Sequence, residues 1–177
     1  MTCEFAIQLL GGIFVPLEKN SAADRVREII GDVCAVLYVG KAPVSDALPF
    51  FPIEDAGKFP EMENNSPEAV TFPAAEDTAE ILFSTGTTGK SKGIVLSHRN
   101  DTALAENVIC RVEMKKDNVE LIPMPLSHSH GLRRTYGNLV NGSSAVFIDG
   151  VTLLKKVFNM MDEYQVTSMD LSPSSLS

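Results

Sequence analysis

Apolar residues in the first part of the chain switch between helical and strand-like spacing. Phe5, Ala6, Leu9 and Leu10 recur at the interval of a helix face, and Gly11-Gly12 follows where a helix commonly stops, so residues 3–10 are expected to be helical. Ile13-Phe14-Val15 reads as a short strand. Ser21 precedes a second periodic stretch, residues 22–30, with Val26, Ile29 and Ile30 on one face and Gly31 at its end, which makes Ser21 the expected cap. Residues 35–39 follow as a buried strand. Helices alternating with apolar strands predict a mostly parallel sheet covered by helices, an α/β architecture.

The pattern breaks between Pro49 and Pro73, where Pro52, Pro60 and Pro67 also fall among acidic residues that cannot sustain a regular element. It then resumes. Strands are expected at residues 79–83, 94–96, 119–122, 145–148 and 169–171, and helices at 100–112, 132–140 and 153–164. The organisation read from this is a partial α/β subdomain at 1–48, an acidic, proline-rich connector at 49–78, and a second α/β subdomain at 79–177.

Composition changes this picture only locally. Hydrophobic residues make up 44% and charged residues 21%, the balance of an ordinary globular protein. The formal net charge is −8, and residues 54–80 carry −7 of it: Glu54, Asp55, Glu61, Glu63, Glu68, Glu76, Asp77 and Glu80 stand against Lys58 alone. No basic stripe is present to neutralise phosphates of DNA or RNA, so a nucleic-acid partner is not expected. Cys3, Cys34 and Cys110 are odd in number and lack C-x-x-C spacing, which points to reduced thiols and a cytoplasmic protein rather than a disulfide framework. No apolar run reaches the roughly 20 residues of a membrane-spanning helix.

Candidate chemistry concentrates after the strand at 79–83. Gly86 and Gly89 allow sharp turns that aim backbone N–H groups at one point, Ser84, Thr85, Thr87 and Thr88 add neutral donors, and Lys90 and Lys92 bring positive charge. Such a loop suits a polyphosphate. Three other readings stand beside it. A plain hairpin turn needs two to five residues, fewer than are spent here. The phosphate loop of nucleotide hydrolases is half matched by Gly89-Lys90-Ser91, but Ser84 occupies its first glycine position and the motif should open a helix. A non-catalytic nucleotide- or phosphate-binding module would keep the same loop.

The string Phe83-Ser84-Thr85-Gly86-Thr87-Thr88-Gly89-Lys90-Ser91-Lys92-Gly93 closely resembles the signature of the adenylate-forming superfamily, and among its members the acyl-CoA synthetases most. Ser91 departs from the usual proline, which implies a less preorganised loop. The resemblance implies that Ser84, Thr85, Gly86, Thr87, Thr88, Gly89 and Lys92 hold the phosphates of ATP, with Lys92 also catalytic. Ser97-His98-Arg99-Asn100 resembles the family's hydroxyl-His-x-Asn, for which a structural part at the helix start is expected.

A second block, Pro123-Met124-Pro125-Leu126-Ser127-His128-Ser129-His130-Gly131-Leu132, resembles the family's Pro-Leu-aromatic-His-x-x-Gly, with Ser127 in place of the aromatic. By that resemblance His128 positions the adenylate and acyl group, and His130 borders the acyl substrate. Taken alone, the two histidines could also ligate zinc or pair with Ser127 or Ser129 as a nucleophile, though no nucleophile elbow surrounds them. The segment 6–17, with Gly11-Gly12 and Pro16, resembles a packing segment of the same family.

The resemblance implies a partial N-terminal domain of the adenylate-forming fold and an ATP-dependent activation of a carboxylic acid, followed by transfer to a thiol. ATP, Mg2+ and coenzyme A are the implied cofactors. The family's adenine-binding, ribose-binding and distal lysine segments are not among these residues. The expectation is therefore a fragment that is inactive alone, with a separate C-terminal chain among its expected partners, and carrying an exposed apolar face.

Overall fold

The computed structural model describes residues 1–56, 72–84, 92–151 and 153–171. The chain divides into two compact units, Met1–Pro73 and Ala74–Ser177.

In the first unit, α1 (Thr2–Leu9) ends at Gly11, whose φ of 75° is left-handed backbone that a side chain would strain. The expected strand at 13–15 is reduced to a single bridge residue, Phe14. Pro16, which cannot donate to a ladder, follows it. Helix α2 (Ala23–Asp32) has Ala22 rather than Ser21 at its N-cap and runs on through Gly31, burying Val26 and Ile29. Strand β1 (Tyr38–Gly40) pairs in parallel with β2 (Phe50–Pro52), and the rings of Tyr38 and Phe50 stack with centroids 6.2 Å apart. Residues 50–52 thus form a strand inside the stretch read as connector. Phe50 and Phe51 supply its apolar character, and Pro52 sits at its end, where a missing donor costs little.

The second unit opens with an antiparallel hairpin, β3 (Thr78–Ser84) and β4 (Lys92–Ser97). Helix α3 (His98–Arg111) follows directly. Ser97 accepts a hydrogen bond from the Asn100 backbone N–H at 3.3 Å, while Asn100 Oδ1 accepts from the Ser97 N–H at 3.0 Å, a reciprocal cap for the helix start. This cap is the physical content of the Ser-His-x-Asn string.

Beyond α3 lies a three-stranded parallel sheet, in the order β6 (Ser144–Phe147), β5 (Val119–Ile122), β7 (Ser168–Met169). Helix α4 (Ser129–Asn141) connects β5 to β6, and α5 (Leu154–Tyr164) connects β6 to β7. Neighbouring residues of β5 face opposite sides. Leu121 joins Ile148 and Val157 of α5 in a core that Val146, Met161 and Met169 extend. Glu120 instead faces α4, where Arg134 and Asn138 meet it. The sheet is therefore sandwiched between α4 and α5, and α3 packs against α4, with Gly137 lying close to Val108. Outside this sandwich Leu153, Leu154 and Phe158 on and before α5 remain more than half exposed.

Replacing Ser97 with Ala removes the cap of α3 and should lower the stability of the second unit by about 1 kcal/mol, read from urea denaturation. An unchanged midpoint would mean the hydroxyl leaves no orphan donor behind.

Candidate functional site

The β3–β4 register places Ser84 directly opposite Lys92. The loop they bracket, Thr85 to Ser91, lies outside the described residues, and with it fall the expected ligands Thr85, Gly86, Thr87, Thr88 and Gly89. Ser84 and Lys92 are both exposed at the mouth of the hairpin, so the loop starts beside a hydroxyl and ends beside an ammonium on the same rung. Gly93 comes next, opposite Phe83: a Cβ there would stand 3.3 Å from the Phe83 ring and 3.0 Å from Ile81. The backbone after Lys92 is a strand, not the helix that a nucleotide-hydrolase phosphate loop opens, and this removes that alternative.

A second set of residues gathers at the carboxyl ends of β5, β6 and β7. Helix α4 leaves β5 towards one face and α5 leaves β6 towards the other, so the ends of these neighbouring strands form a switch-point crevice, the usual ligand position in such sheets. The segment after β5 carries Pro123 to Ser127 into this rim. His128 is the N-cap residue of α4, exposed, with extended backbone and no capping bond from its side chain. His130 is the second residue of α4, and its Nε2 is 2.8 Å from Asp170 Oδ2, just past β7. The Arg133 guanidinium donates to Ser129 Oγ at 3.0 Å, which occupies that hydroxyl.

The turn that brings these histidines to the rim depends on Gly131. Any Cβ there would overlap the carbonyl oxygen of Pro125 and stand 2.9 Å from that of Met124. The contacts are backbone atoms and cannot swing aside. This explains physically why a glycine closes the Pro-Leu-x-His block.

Beneath the rim is a polar network that the apolar pattern of β5 concealed. Glu120 is fully buried and accepts from Arg134 Nε at 2.5 Å and from Asn138 Nδ2 at 2.6 Å. Arg134 and Asn138 are four residues apart and so share one face of α4. Asn138 Nδ2 also donates to the Arg134 carbonyl, and its Oδ1 accepts from Ser143 at 2.9 Å. Arg134 Nε lies 3.9 Å from Asp170 Oδ2, which links the buried pair to the His130 contact. Midway between Arg134 and Asn138 in sequence and so on the other side of α4, Tyr136 donates to Glu80 Oε2 at 2.9 Å, with both residues buried, and ties α4 to the hairpin strand β3. Sequence reasoning missed Glu120, Arg134, Asn138 and Asp170. A carboxylate inside the four-residue strand Val-Glu-Leu-Ile was the available signal, because a buried charge demands a partner.

The parallel α/β sandwich has its switch-point rim at the carboxyl ends of the strands, the usual ligand position of open α/β proteins, and a hairpin bracketed by Ser84 and Lys92 precedes it in the chain. A family described as AMP-binding enzyme matches residues 1–177, and the chain belongs to that family. Its curated relatives include the 4-coumarate–CoA ligase-like 3 protein of Arabidopsis thaliana, 35% identical over 99 residues that cover 55% of this chain and 18% of the relative. Nonribosomal peptide synthetase kk1B of Curvularia clavata is 27% identical over 192 aligned positions, 99% of this chain and 1% of that protein. Among solved structures, o-succinylbenzoate coenzyme A synthetase from Bacillus subtilis, in complex with ATP and magnesium ion, matches with a TM-score of 0.82 at 17% identity, covering 98% of this chain and 47% of that one. The N-terminal subdomain of NpsA from Klebsiella oxytoca, with 3-hydroxybenzoyl-AMSN, gives 0.81 at 18% identity, covering 95% and 43%. These likenesses establish the N-terminal-domain fold of adenylate-forming enzymes. The chain spans 18% of the length of that plant ligase-like relative.

Changing Arg134 to Met should cost about 3–5 kcal/mol, because it strands Glu120 without its cation in a dry site. Adding Glu120→Leu to that variant should restore much of the loss in thermal or urea unfolding. Gly131→Ala forces the α4 turn away from Pro125 and should destabilise the second unit by about 1–3 kcal/mol in the same measurement.

Proposed function

We propose that these residues form the phosphate-gripping and acyl-facing part of an ATP-dependent acid–thiol ligase. The observation that carries the reading is the hairpin register: Ser84 and Lys92 sit on one rung and bracket a loop of glycines and hydroxyls, with a strand following it. Membership of the AMP-binding enzyme family over the whole chain supports the same assignment.

In this reading the backbone and hydroxyls of residues 84–89 hold the phosphates, and Lys92 places a compact cation beside the departing pyrophosphate. Negative charge grows on phosphate oxygens as the substrate carboxylate attacks, so donors fixed beforehand lower the barrier. His128, at the start of α4 on the switch-point rim, orients the acyl-adenylate, and His130 borders the acyl tail. The acyl group then passes to a thiol, with coenzyme A as the acceptor we favour. Mg2+ fits as a companion of the ATP phosphates, where it neutralises charge: among the described residues no three His, Cys, Asp or Glu side chains gather into a protein cage for it. Cys3, Cys34 and Cys110 are free thiols, which supports a reducing, cytoplasmic setting. No helix of the described residues is long and apolar enough to cross a membrane.

Calorimetric titration of the chain with Mg-ATP and with Mg-pyrophosphate tests the grip of the loop. Lys92→Ala should weaken both by about 10- to 100-fold, the worth of a charge-assisted hydrogen bond of ~1.5–3 kcal/mol. Equal affinity in the two proteins, or no binding by the unmodified chain, would remove the phosphate assignment.

A further inference from the structure

The contact between His130 and Asp170 is built more firmly than an exposed pair requires. Both side chains are about two-fifths exposed, yet Asp170 Oδ2 also lies 3.9 Å from Arg134 Nε, and Arg134 is anchored on the fully buried Glu120. An anchored guanidinium therefore lies within electrostatic reach of this carboxylate, which directly follows β7 next to the carboxyl end of β5. An ionised carboxylate only accepts hydrogen bonds, so the ring nitrogen it meets, Nε2, carries the proton. Nδ1 of a neutral ring is then a lone pair, and it has no hydrogen-bond partner among the described residues.

We propose that Asp170, acting through His130, makes the acyl side of this site selective for carboxylic acids whose tails carry a hydrogen-bond donor, a hydroxyl or an amino group. Asp170 is a positioning residue: it sets the tautomer, and the ring's Nδ1 accepts from the donor. A bare hydrocarbon tail leaves that acceptor unmatched after displacing its water, which lowers affinity for the plain acid. The inference rests on the placement of His130 beside the acyl tail under the function proposed above.

Nitrogen-15 NMR of the histidine rings in the whole chain, with Mg-ATP present, reads both parts of this proposal. The His130 ring should show Nε2 protonated in the unmodified protein, and Asp170→Ala should erase that preference while Asp170→Glu retains part of it. Matched probes are phenylpropanoate with its ring-hydroxyl and ring-amino analogues, and octanoate with its terminal hydroxyl analogue. The donor-bearing acid of at least one series should move the Nδ1 resonance and bind about tenfold more tightly than its parent, with the ratio falling towards one in Asp170→Ala. Equal binding within both series, a ratio that survives Asp170→Ala, or an Nδ1-protonated ring in the unmodified protein would each overturn it. If Mg-ATP binds in a Lys92-dependent way while acids are not distinguished, this selectivity alone fails. If Mg-ATP does not bind, the ligase reading fails and takes the selectivity with it.

Discussion

A carboxylate with no access to water, Glu120 in the middle of the parallel sheet, is the constraint around which the second unit is organised. Removing a charge from water costs several kcal/mol unless cations and donors replace the lost solvent. Arg134 and Asn138 supply them from successive turns of α4, which fixes that helix in rotation and in height against β5. An apolar interface would tolerate small slips of the helix; two short bonds to the two oxygens of one carboxylate do not. Because His128 and His130 ride on the first turn of the same helix, their location on the sheet rim follows from a contact made deeper in the fold.

The same helix reaches the hairpin. Tyr136 donates to Glu80 within the buried part of β3, so α4 joins the first hairpin strand to β5, the strand that precedes the histidines. Gly131 and Gly137 let α4 lie close to its neighbours, the first against the backbone of Pro125 and Met124, the second against Val108 of α3. The hairpin strand β3 and the segment carrying the histidines are thus tied to one helix.

Much of this was legible along the chain. The strand expected at 119–122 coincides with β5, and the helices expected at 153–164 and 100–112 fall within one or two residues of α5 and α3. The hydroxyl–glycine–lysine string fell between two expected strands, and β3 and β4 do flank it as a hairpin. Ser21 was misread as a cap, since a hydroxyl one residue too early cannot reach the first free N–H groups of α2. Phe50 to Pro52 disappeared into a proline-rich background, because strand formation there depends on a partner, Tyr38 to Gly40, that no local pattern announces. The fold class was right where it rested on alternation, though β3 and β4 run antiparallel within an otherwise parallel scheme.

By itself the sequence determined most of the helices and strands of the second unit, since these depend on neighbours a few residues away. Only the tertiary structure decided that Glu120 is buried on Arg134 and Asn138, that Asp170 stands against His130 some forty residues distant, and that Tyr136 meets Glu80. Those pairings depend on which strands adjoin and which helix covers them. Such contacts between distant residues form only when the sheet order brings them together, and no local pattern encodes that order.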